Sequence, residues 1–499
     1  MSIDSPTLSV APILSPELAA PAPPARAAIT AAWIRDEATH VRGLLEQARL
    51  PAADRDAAQA VAADLVRRVR ARARNQGVVE AFMRQYDLGS EEGVLLMCVA
   101  EALLRIPDQG TADALIRDKL GDANWKRHLG QSDSVLVNAS TWGLMLTGKL
   151  VDLADDTKRD VHGAFQRLVG RAGEPMIRLA VRQAMKIMGH QFVLGRTIDE
   201  ALARSRKGEG ANYRYSFDML GEGALTTKDA LRYQEAYRSA IHAIGRDYAP
   251  HRTQAPDAVF GAPSISVKLS ALHPRYEHAK RVRVLDELGG RLLELSQLAR
   301  QYGIGLTIDA EETDRLELSL DLIFQVLADA SLRDWNGFGI VVQAYQKRAP
   351  FVIDYIAHMA GQLGRRIPVR LVKGAYWDAE IKRAQMDGQA GYPLFTRKQN
   401  TDVSYLANAR RLLDAGEAIY PMFATHNAQT IATVHRMARA MRGRRDFEFQ
   451  KLHGMGDDLY AEVIPADRLD VPCRVYAPVG SHEDLLPYLV RRLLENGAN

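Results

Sequence analysis

The second half of this chain alternates eight short runs of β-forming residues with amphipathic helical patterns. Such alternation favours a parallel sheet, and eight units within about 290 residues favour an α/β fold of the (β/α)₈ barrel type over a doubly wound sheet. No G-x-G-x-x-G motif follows the first run, which argues against a dinucleotide-binding Rossmann domain. The predicted strands are residues 213–219, 264–269, 305–309, 338–343, 367–373, 420–425, 447–452 and 472–476.

The first 207 residues have a different character. Residues 1–27 are rich in Pro and Ala and are expected to form a disordered tail. Residues 28–80 predict a helical arm that is interrupted at Pro51, and residues 81–207 predict a helical domain with linker helices. The barrel is therefore assigned to residues 208–499.

Composition narrows the class of protein. The 499 residues carry a net charge of only +4, which does not by itself require a nucleic-acid partner. The two cysteines, Cys98 and Cys473, lie far apart, so a reducing, cytoplasmic compartment is expected. No Cys/His cluster has the spacing of metal ligands, and the longest apolar run, residues 93–104, is too short to cross a bilayer. We expect no metal site, no signal peptide and no membrane span.

An arginine run ends the helical arm, at Arg67, Arg68, Arg70, Arg72 and Arg74. It is compatible with a patch for nucleic acid or anionic lipid, and also with a solvated helix face whose arginines pair with acidic residues. We favour the solvated face because no aromatic residues are interleaved with the arginines. A DNA-binding regulator stays open as the non-enzyme alternative.

Polar side chains stand at the end of every predicted strand, where barrel enzymes assemble their sites. The set contains cations and aromatic residues but no nucleophile elbow. Glu311 and Glu312 are adjacent on an extended segment, so they point to opposite sides and are interpreted as salt-bridge partners of Arg315. These features fit a large anionic cofactor and a small carboxylate, with redox chemistry on a bound flavin. The strand-end residues are Asp218, Glu222, Lys268, Asp309, Glu311, Glu312, Gln343, Tyr345, Arg370, Lys373, His426, Asn427, Gln450, His453 and Tyr476.

The last predicted helix carries a second cluster. Tyr488, Arg491, Arg492 and Glu495 recur at spacings of three and four and therefore share one face. Two consecutive arginines can clamp a carboxylate bidentately, although a solvated basic face has the same spacing.

Seven segments of the chain have a distinctive sequence, namely residues 265–276 (ISVKLSALHPRY), 308–317 (IDAEETDRLE), 343–348 (QAYQKR), 370–385 (RLVKGAYWDAEIKRAQ), 423–427 (FATHN), 452–456 (LHGMG) and 476–499. These segments closely resemble the proline dehydrogenase of the proline utilization A (PutA) family. The resemblance implies a distorted, TIM-like (β/α)₈ barrel that holds FAD. It also implies oxidation of L-proline to Δ1-pyrroline-5-carboxylate, with hydride passing to flavin N5 and electrons to a membrane quinone. Another flavin-barrel oxidoreductase, similar to methylenetetrahydrofolate reductase, is the alternative within enzymes.

The same resemblance assigns residues to the substrate. It implies that Lys268, Arg491 and Arg492 hold the proline carboxylate, and that Tyr476, Tyr488 and Leu452 line the proline ring. It further implies that Asp309 lies close to the substrate and that Glu222 pairs with Arg491 as a gate.

For the cofactor, the resemblance implies that Arg370 reaches flavin N5 and that Gln343 and Gln450 reach the ring edge or the ribityl chain. Phosphate and adenosine contacts are assigned to Lys373, Thr396, Lys398, Thr401, His426 and Asn427, with Trp377 packed on adenine. Further cofactor contacts are assigned to Asp309, Ala310, Val372, Gly374, Ala375, Ala424, Thr425, Leu452, Tyr476, Arg492 and Glu495.

The resemblance also implies partners. These are L-proline, ubiquinone or a similar quinone at the inner face of the cytoplasmic membrane, and a downstream aldehyde dehydrogenase domain. Because that domain would follow Asn499, the sequence is expected to be a fragment of a longer bifunctional enzyme. We expect no DNA partner, since the N-terminus lacks the ribbon-helix-helix domain with which some relatives begin. A homo-oligomer stays open.

Overall fold

A computed structural model describes residues 23–73, 192–253, 255, 257–441 and 446–480. The chain divides into two compact units, Met1–Arg68 with Thr197–Val479 and Val69–Arg196 with Gly480–Asn499. Nearly all of the described residues belong to the first unit. No helix within these residues combines the length and hydropathy that crossing a membrane requires.

The first unit contains a closed barrel of eight parallel strands in sequential order, which confirms the predicted fold class. The barrel closes where the first strand pairs with the last, with Arg214 opposite Arg474. All eight predicted strands are present. They are β1 (Arg214–Met219), β2 (Ser264–Val267), β3 (Gly305–Ile308), β4 (Phe338–Gln343), β5 (Ile367–Val372), β6 (Ile419–Ala424), β7 (Glu448–Leu452) and β8 (Cys473–Val479).

The strands are short and are buried on both faces, as expected for a parallel sheet that is covered by helices. Every residue of β2, β3, β4 and β8 is buried. Side chains such as Leu306, Val369 and Phe423 are fully excluded from solvent. Burial of these apolar groups contributes about 25 cal/mol for each Å² removed from water, so it dominates the stability of the barrel.

Helices surround the barrel and begin and end at recognisable signals. Thr226 and Asp229 form a reciprocal capping box at the start of α5, and Gly303 ends α8 in the left-handed conformation, with φ of 69°. The helices are α4 (Ile198–Ser205), α5 (Thr227–Tyr248), α6 (Ala258–Gly261), α7 (Leu269–Leu272), α8 (Arg281–Tyr302), α9 (Leu316–Leu327), α10 (Ala349–Leu363), α11 (Trp377–Met386), α12 (Lys398–Asp414), α13 (Ala428–Ala440) and α14 (Asp457–Tyr460).

Helix α11 was not predicted from the sequence. The sequence pattern predicts a single helix after the fifth strand, at residues 399–415, which corresponds to α12. The structure adds α11 between β5 and α12. Glu380 of α11 is buried and accepts hydrogen bonds from Thr313 N and Thr313 Oγ1, both at 2.6 Å. This contact ties α11 to the loop that follows β3.

Three further helices precede the barrel in sequence and pack on it, namely α1 (Pro24–Ala31), α2 (Glu37–Ala48) and α3 (Ala52–Ala73). Helix α1 starts inside the segment that was expected to be a disordered tail. Pro24 is tolerated at its first position, where a backbone N–H has no helical partner anyway. Arg26 is buried and donates to Glu317 O at 2.5 Å and to Asp321 Oδ1 at 3.2 Å, which explains why this stretch is ordered.

An ionic cluster fills the amino-terminal end of the barrel; we call Arg214, Glu448 and Arg474 the amino-end cluster. The Glu448 carboxylate is fully buried and accepts from Arg474 Nε at 2.6 Å and Nη2 at 3.1 Å, and from Arg214 Nη1 at 3.0 Å. Burial alone would raise the pKa of Glu448, but the two guanidinium groups hold it below its ordinary value. The one carboxylate of this cluster is therefore kept ionised inside the barrel by two guanidinium groups.

Candidate active site

A second ionic cluster lies at the carboxyl ends of the strands. We call Asp218, Lys268, Asp309, Arg370 and Tyr476 the carboxyl-end cluster. Lys268 Nζ donates to Asp218 Oδ1 at 2.7 Å, to Tyr476 Oη at 3.1 Å and to Asp309 Oδ2 at 3.3 Å. Tyr476 Oη in turn donates to Asp309 Oδ2 at 2.6 Å. Five residues predicted at the ends of separate strands, Asp218 among them, thus meet in one place.

Arg370 enters this cluster from β5. Its Nη1 donates to Asp309 Oδ1 at 2.8 Å, and its Nη2 donates to Ser266 Oγ at 3.0 Å and Ser216 Oγ at 3.3 Å. Its guanidinium carbon lies 5.1 Å from the centroid of the Tyr476 ring. These contacts fix the guanidinium plane inside the barrel mouth, where only 3% of Arg370 is exposed.

Electrostatics within the carboxyl-end cluster keep Lys268 cationic. Burial would lower the pKa of Lys268, but Asp218, Tyr476 and Asp309 raise it well above its ordinary value. Burial would raise the pKa of Asp309, yet Lys268 and Arg370 hold it below its ordinary range. By contrast, full burial raises the pKa of Asp218. A lysine held as an ammonium can bind a carboxylate but cannot act as a general base.

A carboxyl group with an unusual pKa lies beside this cluster. Glu311 accepts from Ser270 N at 3.2 Å and from Ser270 Oγ, and burial raises its pKa to about 7. The charge of Glu222 also contributes to this rise, so the predicted gate residue lies near Glu311. Arg315 pairs with Glu311 at 3.5 Å and with Glu312 at 3.1 Å, which confirms the interpretation of this acidic pair as salt-bridge partners.

The loop that follows β5 places a third set of charges outside the barrel mouth. Asp402 pairs with Lys373 Nζ at 2.8 Å and with Lys398 Nζ at 3.2 Å, so two predicted phosphate contacts share one carboxylate. Gly374 has φ of 146°, and a Cβ there would come within 2.4 Å of the Tyr345 ring. The backbone can therefore turn here only because residue 374 has no side chain.

The loops after β6 and β7 meet through His426. Its Nε2 accepts from Leu452 N at 3.0 Å, so in the neutral ring the proton resides on Nδ1. Thr425 Oγ1 accepts from Asn427 N at 3.1 Å, and Asn427 Oδ1 caps α13 through Thr430 N at 2.9 Å. Part of the hydrogen-bonding capacity predicted for the cofactor is thus used to shape these loops.

Two glutamines lie deeper in the barrel. Gln343 donates to Glu311 O at 2.9 Å and accepts from Ala375 N at 3.3 Å. Gln450 donates to Glu448 Oε1 at 2.9 Å, whereas its buried Oε1 accepts no hydrogen bond from the described residues. A buried acceptor without a partner is costly, so this oxygen fits a ligand donor inside the barrel.

The remaining predicted residues divide into three groups. Trp377 begins α11 and donates through Nε1 to Phe395 O at 2.9 Å, Thr396 precedes α12, and Thr401 is buried within it. Residues that lie at or just after strand ends are Ala310, Val372, Gly374, Ala375 and Ala424. Residues that fall outside the described part of the chain are Tyr488, Arg491, Arg492 and Glu495.

Sequence reasoning missed several members of these clusters. Ser216 and Ser266 contact Arg370 and stand two residues before Asp218 and Lys268, so alternation along β1 and β2 could have indicated them. Asp402 follows Lys398 by four residues, a spacing that predicts a helical ion pair. Glu37 accepts from Thr396 N at 3.0 Å, and no local signal could have revealed that contact.

Comparison with known proteins agrees with this geometry. A family model described as proline dehydrogenase matches residues 201–499. A model described as the DNA-binding domain of proline dehydrogenase matches residues 78–192, and one described as the proline utilization A proline dehydrogenase N-terminal domain matches residues 24–70. The match at residues 78–192 counts against our expectation of no DNA partner.

Individual relatives extend over almost the whole chain. It is 54% identical to the bifunctional protein PutA of Klebsiella aerogenes and 53% identical to that of Escherichia coli, over 95% of this chain in both cases. The chain spans only 36% of the length of each of these relatives. The crystal structure of a mutant of Bradyrhizobium japonicum proline utilization A is similar, with a TM-score of 0.69, 48% identity and coverage of 94% of this chain and 46% of that one. Because the proline dehydrogenase model alone covers more than half of the sequence, the chain belongs to the proline dehydrogenase family.

Proposed function

We propose that the barrel oxidises L-proline to Δ1-pyrroline-5-carboxylate with FAD as its cofactor, in the first step of proline catabolism to glutamate. The observation that carries this proposal is the carboxyl-end cluster, where a permanently charged Lys268, a tyrosine and a second cation meet in the mouth of a barrel whose sequence belongs to this family. Small ligands bind at this face of a (β/α)₈ barrel.

Lys268 is the proposed partner of the proline carboxylate. The negative charge of Asp218 favours the protonated form of Lys268, and the hydrogen bond from Lys268 Nζ to Tyr476 Oη, at 3.1 Å, fixes the position of the ammonium group. The family resemblance assigns Arg491 and Arg492 to the same carboxylate, Tyr488 and Leu452 to the proline ring, and Glu222 to a pair with Arg491. Tyr488, Arg491 and Arg492 lie outside the described residues, so these roles rest on the resemblance. A site rich in positive charge binds an anionic substrate and favours its uncharged amine, which is the form that can release hydride.

Binding of FAD is supported by residues in the barrel mouth and by charged and aromatic residues outside it, after β5. The unpartnered Gln450 Oε1, the guanidinium of Arg370 and the tight turn at Gly374 fit the ring end of a flavin. Lys373 and Lys398 supply the charge that a pyrophosphate needs, and Trp377 supplies a flat surface for adenine. When bound, the flavin accepts the hydride of proline oxidation. The fixed cation Arg370 stabilises negative charge that develops nearby, without any reorganisation.

Two partners follow from the bifunctional relatives. We propose a membrane quinone as the final electron acceptor and an aldehyde dehydrogenase domain as the consumer of pyrroline-5-carboxylate after hydrolysis. The name of the relatives, bifunctional protein, and the 36% of their length that this chain spans support a second activity elsewhere in those proteins.

An absorbance spectrum tests the proposal. The purified protein is expected to be yellow, or to become yellow with added FAD, and to bleach under anaerobic conditions with L-proline but not with D-proline. Protein that does not take up FAD, or that keeps its colour with L-proline, would contradict the proposed function.

DNA binding by residues 78–192 is a second candidate, because the family model that matches them carries that description. A gel-shift titration with the DNA upstream of the gene separates the outcomes. A shift that survives competitor DNA and weakens steeply with salt supports a regulator, whereas a shift that competitor DNA abolishes does not.

A further inference from the structure

Helix α2 contacts the segment 393–400, which lies between α11 and α12 and carries Thr396 and Lys398. Glu37 accepts from Thr396 N with both carboxylate oxygens, at 3.0 and 3.1 Å, and from Asn400 Nδ2 at 2.6 Å. Arg397, the residue before α12, makes no capping bond with its own side chain within the described structure. Glu37 therefore places a negative charge beside the amino-terminal end of α12, which is the positive end of the helix dipole, and bonds the residue before the N-cap and the side chain of Asn400.

A second contact between α2 and this segment is apolar. The ring of His40 is stacked between Phe395 and Phe351, with centroids 5.8 and 6.1 Å away and planes within 16° of parallel. Phe395 is fully buried and packs with Leu44 of α2 and Ala407 of α12. The segment 393–400 is thus held against α2 by the Glu37 carboxylate and by the buried His40 ring.

The barrel holds the same segment from its other side. Phe395 N donates to Tyr345 O at 2.9 Å, and Lys347 N donates to Pro393 O at 3.0 Å. Phe395 O accepts from Trp377 Nε1 at 2.9 Å. The positions of Trp377 and Thr396, two proposed adenylate contacts, therefore depend on Phe395 and on what anchors it.

We propose that Glu37 and His40 of α2 are positioning residues for the adenylate end of the FAD site. Neither residue is among the proposed cofactor contacts. They hold in place the segment 393–400, which carries two of those contacts, Thr396 and Lys398. This proposal rests on the proposed function, since it concerns the binding of FAD.

The expected effect follows from the contacts that are lost. Without the Glu37 carboxylate, Thr396 N and Asn400 lose charge-assisted hydrogen bonds, and the segment must be ordered when FAD binds. The Kd for FAD should rise about tenfold in Glu37→Ala, which corresponds to the loss of one or two such bonds. Proline binding inside the barrel mouth should not change, because Glu37 makes no contact with the carboxyl-end cluster.

A matched variant is available on the same arm. Asp54 pairs with Arg436 of α13 at 2.6 Å, and its side chain is 18% exposed, the same fraction as that of Glu37. Asp54→Ala therefore removes an equally buried carboxylate that joins the arm to the barrel, but away from the segment 393–400. The experiment titrates FAD into the full-length apoprotein of the wild type, Glu37→Ala, Glu37→Gln and Asp54→Ala, and follows the quenching of flavin fluorescence.

We expect a higher Kd in Glu37→Ala, a partial recovery in Glu37→Gln, which keeps one acceptor oxygen, and the wild-type Kd in Asp54→Ala. At saturating FAD, the KM for proline should be the same in all four proteins. An unchanged or lower Kd in Glu37→Ala, or an equal rise in Asp54→Ala, would overturn the inference and leave the proposed function intact. Failure of the wild type to bind FAD would instead refute the proposed function.

Discussion

The barrel contains two buried ionic clusters, one at each end, and they are built differently. In the amino-end cluster a single carboxylate, that of Glu448, is shared by two guanidinium groups. The other N–H groups of these arginines donate to backbone carbonyls such as Phe260 O and to the Tyr420 hydroxyl. In the carboxyl-end cluster two carboxylates and two cations alternate around a phenol. The pKa of the single carboxyl group in the first cluster is lowered by its two arginines. In the second cluster the pKa values of the two aspartates are shifted in opposite directions, that of Asp218 upward and that of Asp309 downward.

The difference teaches where function resides in this barrel. Pairs of carboxyl groups with divergent environments are typical of sites that bind or transform ligands. A carboxylate that is saturated by arginines at the opposite end is typical of a group that holds strands together. Mutations at the amino end should therefore change stability, and those at the carboxyl end should change chemistry.

The largest effect is expected for Glu448→Ala. The change leaves the guanidinium groups of Arg474 and Arg214 without their common partner, and breaking a buried pair in this way costs about 3–5 kcal/mol. Urea unfolding followed by circular dichroism measures the loss. Glu417, which is 91% exposed, provides the control, and Glu417→Ala should lie within about 0.5 kcal/mol of the wild type. Equal stability of the two variants would mean that the amino-end cluster does not hold the strands.

Glu311 gives a pH-dependent effect beside the carboxyl-end cluster. Its pKa is about 7 in the folded protein and 4.5 ordinarily, so the folded state keeps a proton that the unfolded state has lost. Stability should therefore fall as pH rises from 4.5 to 7, by up to about 3 kcal/mol.

Glu311→Gln removes this titration and should flatten the stability curve across that range. The difference between variant and wild-type unfolding free energies at pH 5 and pH 8 isolates the contribution, because other titrating groups are common to both proteins. Parallel curves would show that Glu311 titrates normally.

Tyr476→Phe should lower kcat/KM for proline about 10- to 100-fold, since the phenol both donates to Asp309 and accepts from Lys268. The flavin content should be unchanged, because phenylalanine keeps the ring that the resemblance assigns to the cofactor and loses only the hydroxyl. The matched phenol at the other end is Tyr420, whose hydroxyl accepts from Arg214 Nη1 at 3.0 Å. Tyr420→Phe should keep wild-type kinetics. If Tyr420→Phe is as impaired as Tyr476→Phe, the division of roles between the clusters is wrong.

The smallest effect is expected for Lys398, which lies outside the barrel mouth at the start of α12. Lys398 is 44% exposed, so its attraction to a phosphate is weakened by solvent and by salt. Lys398→Met should raise the Kd for FAD about threefold at low salt, and the difference should shrink at high salt. Lys382→Met, on the exposed surface of α11, is the control and should bind FAD like the wild type. A salt-independent change would point to altered loop structure.

Strand periodicity and length allowed all eight strands to be predicted, because buried apolar runs between turn signals have few other solutions. It was harder to predict which side chains at the strand ends contact each other. Arg370 and Lys373 leave the same strand, and the resemblance assigns them to different parts of the cofactor, flavin N5 and the phosphate or adenosine side. In the structure Arg370 turns inward to Asp309 and Lys373 outward to Asp402. The alternation of side chains and the turn at Gly374 separate them.

Contacts between distant segments could not be predicted at all. Glu37 and Thr396 are separated by 359 residues, and each belongs to an ordinary local pattern. Composition predicts the first turn of α1, residues 24–27, as part of the tail, because the burial of Arg26 depends on Glu317 and Asp321, which lie far along the chain. Tertiary contacts of this kind override the local structural preference of a segment, which depends only on residues close in sequence.

The division between the two clusters is tested most directly by anaerobic bleaching of the bound flavin with L-proline in Lys268→Met and Arg214→Met. Each variant removes one cation from one cluster. We predict that Lys268→Met retains its flavin but bleaches at least about 100-fold more slowly than the wild type, because the proposed carboxylate partner is gone. Arg214→Met should unfold at lower urea concentration yet bleach at the wild-type rate. Rapid bleaching of Lys268→Met, or slow bleaching of flavin-loaded Arg214→Met, would contradict the assignment of proline oxidation to the carboxyl-end cluster.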